Sequence, residues 1–445
     1  MTTITRHMLT IPGTSRKVHY RRCGSGPALL MVHQSPRSSA EYEELMRKWA
    51  PHFTCIAPDT PGFGQSDPLE DEPEIGDFAA ALGQFCDALG IGRCAAYGFH
   101  SGGVILVAAI KQRPELFSCM AIGGYAVWTA EEMTIFGESY LPQWHPSAYG
   151  EHLTWLWNRM LEQSWFFPWF DIRDEARLGV AHADPQRVHR AIMEMMDSGN
   201  AYRAGYGAVL RAPRDLPGND APVPPALITA FEGDPLLPHL GRLGDLPANW
   251  SAHPVATPEE HHAQSLAFLQ QLGGGAPCPD LAEDSDEGWL ALEHGLVHWR
   301  GHRGAEALSL HRPAAEMDLS ENLAIDVPGH GLSGKADDIG AAIEAAAKAL
   351  GAQRIDWSTP PDGDPDLLYP DLTTDRFGNY LHRAWSASRA EAMFAPWYAA
   401  SPDNVIEINA AALEPAAIHR RARARLRAGS EARRYHHLLQ EIHGG

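Results

Sequence analysis

Short apolar runs alternate with amphipathic stretches over the first 125 residues. Residues 28–32 and 54–57 are unbroken apolar blocks followed by Gly, Pro and Ser, which predicts buried strands. Residues 78–89 place apolar side chains at helical spacing and run into Gly90, where a C-terminal cap belongs. Residues 94–97 predict the next strand, 104–111 the next helix and 119–122 another strand. Strands alternating with helices imply a parallel sheet wound with right-handed crossovers. From about 127 to 220 aromatic residues crowd together and helical spacing takes over, with Trp165-Phe166-Phe167-Pro168-Trp169-Phe170 as the densest run. Strand character returns over 225–232, and Thr257-Pro258-Glu259-Glu260 has the form of a capping box opening a helix to Gln271. The expected organisation is a sheet domain in two pieces, 1–126 and 221–272, interrupted by a helical cap over 127–220.

A Gly, Pro and acidic stretch over 273–288 reads as a linker, and 289–445 repeats what precedes it. Val297-His298-Trp299 echoes Val18-His19-Tyr20, and His311 echoes His33. The segment from Asp326 to Ser333 echoes that from Asp59 to Ser66. Gly150, Leu153, Trp157, Phe166, Pro168 and Trp169 return at one constant spacing as Gly378, Leu381, Trp385, Phe394, Pro396 and Trp397. Pro185 and His189 return as Pro415 and His419. The pattern predicts an internal duplication. After Arg354, however, the second copy runs into Pro360-Pro361-Asp362-Gly363, leaving no room for a sharp strand-to-helix turn, and it ends before a final strand pair. Its expected role is structural, as a second cap and a partial sheet.

A formal charge of −20 argues against nucleic acid and anionic membranes as partners, since both require a basic footprint. Residues 1–23 carry no apolar core of a secretion signal, and no stretch reaches the roughly 18 apolar residues of a membrane span. The six cysteines are scattered without a C-x-x-C pair, which suits free thiols in a reducing compartment. Cytoplasm is the expected location.

Three segments carry the chemistry: His33-Gln34-Ser35-Pro36, Asp59-Thr60-Pro61-Gly62-Phe63-Gly64-Gln65-Ser66-Asp67, and Gly98-Phe99-His100-Ser101-Gly102-Gly103, each following a predicted strand. In this order they resemble the α/β-hydrolase superfamily, more narrowly the branch of epoxide hydrolases, haloalkane dehalogenases and C–C bond hydrolases. The resemblance covers about residues 15–270 and implies a doubly wound parallel sheet with a helical cap, followed by a truncated second copy. In that family a strained turn after the central strand presents a nucleophile, and the residues two before and two after it must be small. Gly98 and Gly102 meet this demand only with His100 at the tip; with Ser101 at the tip, Phe99 would fall on a small-residue position. The family's nucleophile position is thus held by His100, which can act as a general base, a covalent nucleophile or a relic, with Ser101 acting through an unusual turn as the remaining alternative.

The resemblance places the oxyanion donors at the backbone amide of Ser101 and on Gln34-Ser35, with Gln34 standing where the family has glycine. Asp234, just after a strand, matches the acid that orients the catalytic histidine, and a helix N-cap is its plainer role. For that histidine His261 is preferred over His253 and His262. No metal-ligand spacing and no Gly-rich phosphate or dinucleotide loop occurs, so no cofactor is expected. The implied function is a cofactor-independent enzyme acting on a small, largely apolar carbonyl or ester-type substrate through a histidine base. Two alternatives stand beside it: a C–C lyase or cofactor-free oxygenase on the same scaffold, and a non-catalytic binding protein. A small-molecule substrate is the expected partner, and a homodimer is left open.

Overall fold

The computed structural model describes residues 2–137, 139–179, 181–213, 216–274, 278 and 286–444. The expected linker at 273–288 falls largely outside them. The chain divides into two compact units, one of residues 1–144, 159–182 and 190–283, the other of 145–158, 183–189 and 284–445. Two short stretches of the helical segment therefore group with the C-terminal residues rather than with the first sheet.

In the first unit β1 (Thr5–Thr10), β2 (Lys17–Cys23), β3 (Ala28–Val32), β4 (Thr54–Pro58), β5 (Cys94–Phe99), β6 (Phe117–Gly123), β7 (Ala226–Phe231) and β8 (Trp250–Val255) form one sheet. Its order is β1-β2-β4-β3-β5-β6-β7-β8, parallel from β4 through β8. Every residue of β3, β4 and β6 is buried, as strands covered on both faces require. One face packs on α2 (Ile75–Ala88) and α3 (Ser101–Gln112) through Phe78, Leu82, Phe85, Val104 and Ile105. The opposite face packs on α1 (Glu43–Trp49) and α8 (Pro258–Leu272) through Met46, Trp49 and Leu269. Between β6 and β7 lie α4 (Ala130–Phe136), α5 (Glu151–Glu162), α6 (Pro185–Ser198) and α7 (Tyr202–Arg211), of which α5 and α6 run from one unit into the other.

The strands read from the sequence are all present, with ends shifted by up to two residues. Helix α3 begins at Ser101 rather than 104, because Gly102 and Gly103 are kept for close packing and not for a turn. At α8, Thr257 Oγ1 accepts from the Glu260 amide at 3.1 Å, while the Glu260 carboxylate accepts from Ala256 N at 2.8 Å rather than from the cap residue's own amide. No helix among the described residues is long and apolar enough to cross a membrane.

In the second unit β9 (Glu287–Leu292), β10 (Gly295–Gly301), β11 (Ala307–Leu310), β12 (Leu323–Ile325) and β13 (Arg354–Asp356) form a sheet of order β13-β11-β12-β10-β9. Reversed, this is the order of β1 to β5. Helix α9 (Ile339–Leu350) connects β12 to β13, and α10 (Pro365–Leu368), α11 (Asn379–Glu391), α12 (Pro415–Ala428) and α13 (Glu431–Gly444) follow.

Buried polar contacts match between the sheets. His19 Nδ1 and Asp59 are 2.8 Å apart, as are His298 Nδ1 and Asp326. His33 Nε2 accepts from Thr60 N at 2.9 Å and His311 Nε2 from Val327 N at 3.0 Å. A Cβ on Gly64 would lie 2.0 Å from the Asp59 carboxylate, and one on Gly331 2.1 Å from that of Asp326.

Within the second unit the helix segments that echo one another in sequence face each other in exchanged pairs. Gly150 sits under the Trp385 ring and Gly378 under the Trp157 ring. His152 Nε2 meets His419 Nδ1 at 3.2 Å, while Tyr380 and His189, at the positions that match these two in the sequence echo, meet at 2.9 Å.

Candidate active site

The turn from β5 into α3 is tightly constrained. His100 has φ 47° and ψ −112°, a region an L-residue enters only when its surroundings hold it there. A Cβ on Gly102 would stand 1.9 Å from the Val32 carbonyl oxygen, and one on Gly98 2.8 Å from Gly102 and Leu106. Those two glycines let helix and strand close around His100, as the sequence spacing requires. The His100 amide donates to Gly123 O at 2.8 Å, tying the tip to β6.

The His100 side chain is 21% exposed, and its Nε2 lies 3.0 Å from Asp234 Oδ1. Asp234 follows β7 and is buried; it accepts from Leu236 N at 2.8 Å. Burial works to raise its carboxyl, but His100, by charge and hydrogen bond, and the Leu236 amide outweigh burial and hold it below the usual carboxylate range. An ionised Asp234 only accepts, so Nε2 of His100 carries the proton and Nδ1 of the neutral ring is the acceptor. Gly124 packs against the Cδ2–Nε2 edge, where its Cβ would come within 2.9 Å of Nε2, so Nδ1 lies on the opposite edge. Nδ1 has no hydrogen-bond partner among the described residues. Phe99 stacks on the ring with centroids 4.1 Å apart.

Ser101 opens α3, placing its amide at the positive end of the helix dipole. Ser35 N donates to Ser101 Oγ at 2.6 Å, so that amide is engaged by a hydroxyl. Gln34 turns aside: its backbone N and its Nε2 both donate to Glu41, at 2.7 and 3.0 Å. Burial pushes the Glu41 carboxyl up, against the opposing pull of Arg37, His33 and the Gln34 donors.

His261 does not join His100. It is fully buried in the first turn of α8, with Nε2 on the Tyr97 hydroxyl at 2.9 Å and Nδ1 on Thr229 Oγ1 at 2.6 Å. Both ring nitrogens are satisfied within the core, and burial holds its pKa down to about 3. His253 lies inside β8 with Nε2 on Gln264 at 2.7 Å, and His262 packs edge-on against Trp49. The acid that was to orient a second histidine orients the histidine at the elbow itself.

Ser35, His100 and Ser101 line a cavity of about 30 Å³, closed by Trp128, Phe167, Tyr206 and Leu236. That volume holds two or so water molecules. Of the aromatic run 165–170 only Phe167 reaches it; Trp165 and Trp169 spend their indole N–H groups on the carbonyls of His182 and Tyr140, at 2.7 and 3.2 Å. Trp128, Tyr206 and Leu236 were not singled out in the sequence. Leu236 alone had a signal, its place two residues after Asp234. No group of three or more His, Cys, Asp or Glu that could hold a metal occurs among the described residues.

A parallel sheet flanked by helices, a strained tip after β5 and an acid after β7 define the α/β-hydrolase architecture. The chain belongs to the alpha/beta hydrolase fold family, whose model matches residues 27–264, over half its length. It is 31% identical over 120 residues to Haloalkane dehalogenase 2 of Mycobacterium tuberculosis (strain ATCC 25618 / H37Rv), covering 27% of this chain and 42% of that protein. To the Haloalkane dehalogenase of Mesorhizobium japonicum it is 26% identical over 233 residues, covering 50% of this chain and 69% of that one. Among solved structures, that of epoxide hydrolase CorEH without ligand aligns at 16% identity and a TM-score of 0.46, over 61% of this chain and 100% of that one. The chain thus spans less than half the length of Haloalkane dehalogenase 2.

Proposed function

We propose that the protein is a cofactor-independent hydrolase of a small, largely apolar carbonyl or ester-type molecule, with His100 as general base. The observation that carries this reading is the 3.0 Å bond from Nε2 of the elbow histidine to buried Asp234, which leaves Nδ1 as the ring's basic nitrogen. Nδ1 takes a proton from a water as its oxygen bonds to the carbonyl carbon, and the carbonyl electron pair moves onto oxygen. Asp234 steadies the imidazolium. The Ser101 amide and hydroxyl hold the oxyanion, the hydroxyl polarised by the Ser35 amide that donates to it. Collapse expels the leaving group, which recovers the proton from Nδ1. Substrate entry requires Phe167 or Trp128 to swing out of the closed cavity.

A non-catalytic binding role is the second reading, favoured by the engagement of the Ser35 amide. Residues 289–445 are inferred to be a duplicate of the first fold without its elbow, on the strength of the matched buried pairs and exchanged helix contacts. Six buried cysteines, all of them thiols rather than disulfides, support a cytoplasmic location.

The test is turnover of short esters, lactones and β-diketones in heavy-oxygen water by wild type, His100→Ala and His100→Ser, with thermal melts as the folding control. The reading expects solvent oxygen in the product and a loss of about 10² to 10⁴ in both variants at unchanged melting temperature. Product without solvent oxygen would favour lyase or oxygenase chemistry. Activity retained in His100→Ala overturns the base role, and silence of all three proteins turns the balance to binding.

A further inference from the structure

The second unit carries a cavity of its own, about 380 Å³, at the carboxyl end of β11. It is lined by Arg312 from the loop after β11 and by Arg420 and Arg421 from α12. Strand β11 is parallel to β12 on one side and to β13 on the other, and the chain leaves β11 for β12 and then crosses through α9 to β13. The connections diverge at this point, and open α/β sheets bind ligands at the carboxyl ends of strands where they do. The volume falls in the range of small-ligand pockets.

The charge there runs against that of the molecule. The chain carries −20 overall, yet none of the three arginines has a carboxylate partner among the described residues. Arg421 donates to the Ala412 carbonyl at 3.2 Å. The two lining carboxylates are already held by other cations: Glu316 by Arg423 at 3.1 Å and Glu391 by Arg425 at 2.7 Å. Ala314, buried in the cavity wall, adopts φ 59°, a strained conformation for alanine. In the first unit the residue after the corresponding histidine, Gln34, is bound to Glu41; here Arg312 leaves that position open toward the cavity.

We propose that this cavity is a second ligand site, for a small organic anion bearing at least two negative charges on carboxylate or phosphate groups. Guanidinium forks pair with either oxyanion in a bidentate manner, and three of them converge on a volume that fits such a molecule. The inference is independent of the reading given to His100.

The experiment is calorimetric titration of the full chain with succinate and with inorganic phosphate at low salt, for wild type, Arg312→Gln/Arg420→Gln and His100→Ala. Both arginines are exposed, so the double variant should melt with wild type. The proposal expects one saturable site for at least one probe, weakened tenfold or more in the double variant and unchanged in His100→Ala. The preferred probe then separates carboxylate from phosphate as the natural group. Binding of neither probe, binding unaffected by the double substitution, or binding lost in His100→Ala would each overturn it.

Discussion

At His100 one hydrogen bond decides which nitrogen is basic. Asp234→Asn keeps the shape of the acid but offers an amide N–H, which drives the proton from Nε2 to Nδ1 and removes the base. Activity should fall by about 10² to 10⁴ while the melting temperature moves far less than the rate, checked by kinetics beside a thermal scan. His100 and Asp234 were readable in the sequence because each follows a short strand and the glycines around His100 admit only one frame. The fate of His261 was not. Its partners Tyr97 and Thr229 come from β5 and β7, and no local pattern announces that a helix will deliver a histidine between those strands. The same holds for the Ser35 amide, whose partner Ser101 lies 66 residues away.

At the scale of the element, the elbow is held by packing that excludes a single methyl group. Gly102→Ala would place a carbon 1.9 Å from the Val32 carbonyl oxygen, inside two backbones that cannot part without opening the sheet. It should cost about 3 kcal/mol or more and abolish activity, read from denaturant unfolding. Gly92→Ala, with nothing within 4 Å of the added carbon, should unfold as wild type does. Strands β3 to β7 were readable from apolar blocks between Gly and Pro punctuation; the order of the sheet was not, because strand pairing joins segments distant in the sequence. The start of α3 was not, because helical spacing cannot reveal that Gly102 and Gly103 are helical for the sake of their neighbours.

For the molecule as a whole, acid should act on both units through buried histidines. Burial holds His261 in the first unit and His330 in the second down to about 3, and both are fully buried. Below about pH 6.5 the unfolded chain takes up protons that these folded rings refuse, so stability falls as pH drops from 6.5 toward 3. The slope is about 1.4 kcal/mol per pH unit for each ring. Unfolding curves at pH 7.5, 6 and 5 should show it. His330→Phe, which installs the side chain found at the corresponding Phe63, should remove one ring's share. The residue echoes between the two halves of the chain were readable, at constant spacing, in the sequence. The assignment of residues 145–158 and 183–189 to the second unit was not, because an amphipathic face does not name what will cover it.

On the proposed reading, a general base at the elbow means that no covalent intermediate forms. The intact mass of the protein, quenched during incubation with an ester or lactone that it is found to turn over, reads this directly. An unmodified chain is expected at every time point. An adduct on His100 or Ser101 that forms and decays with turnover would contradict it.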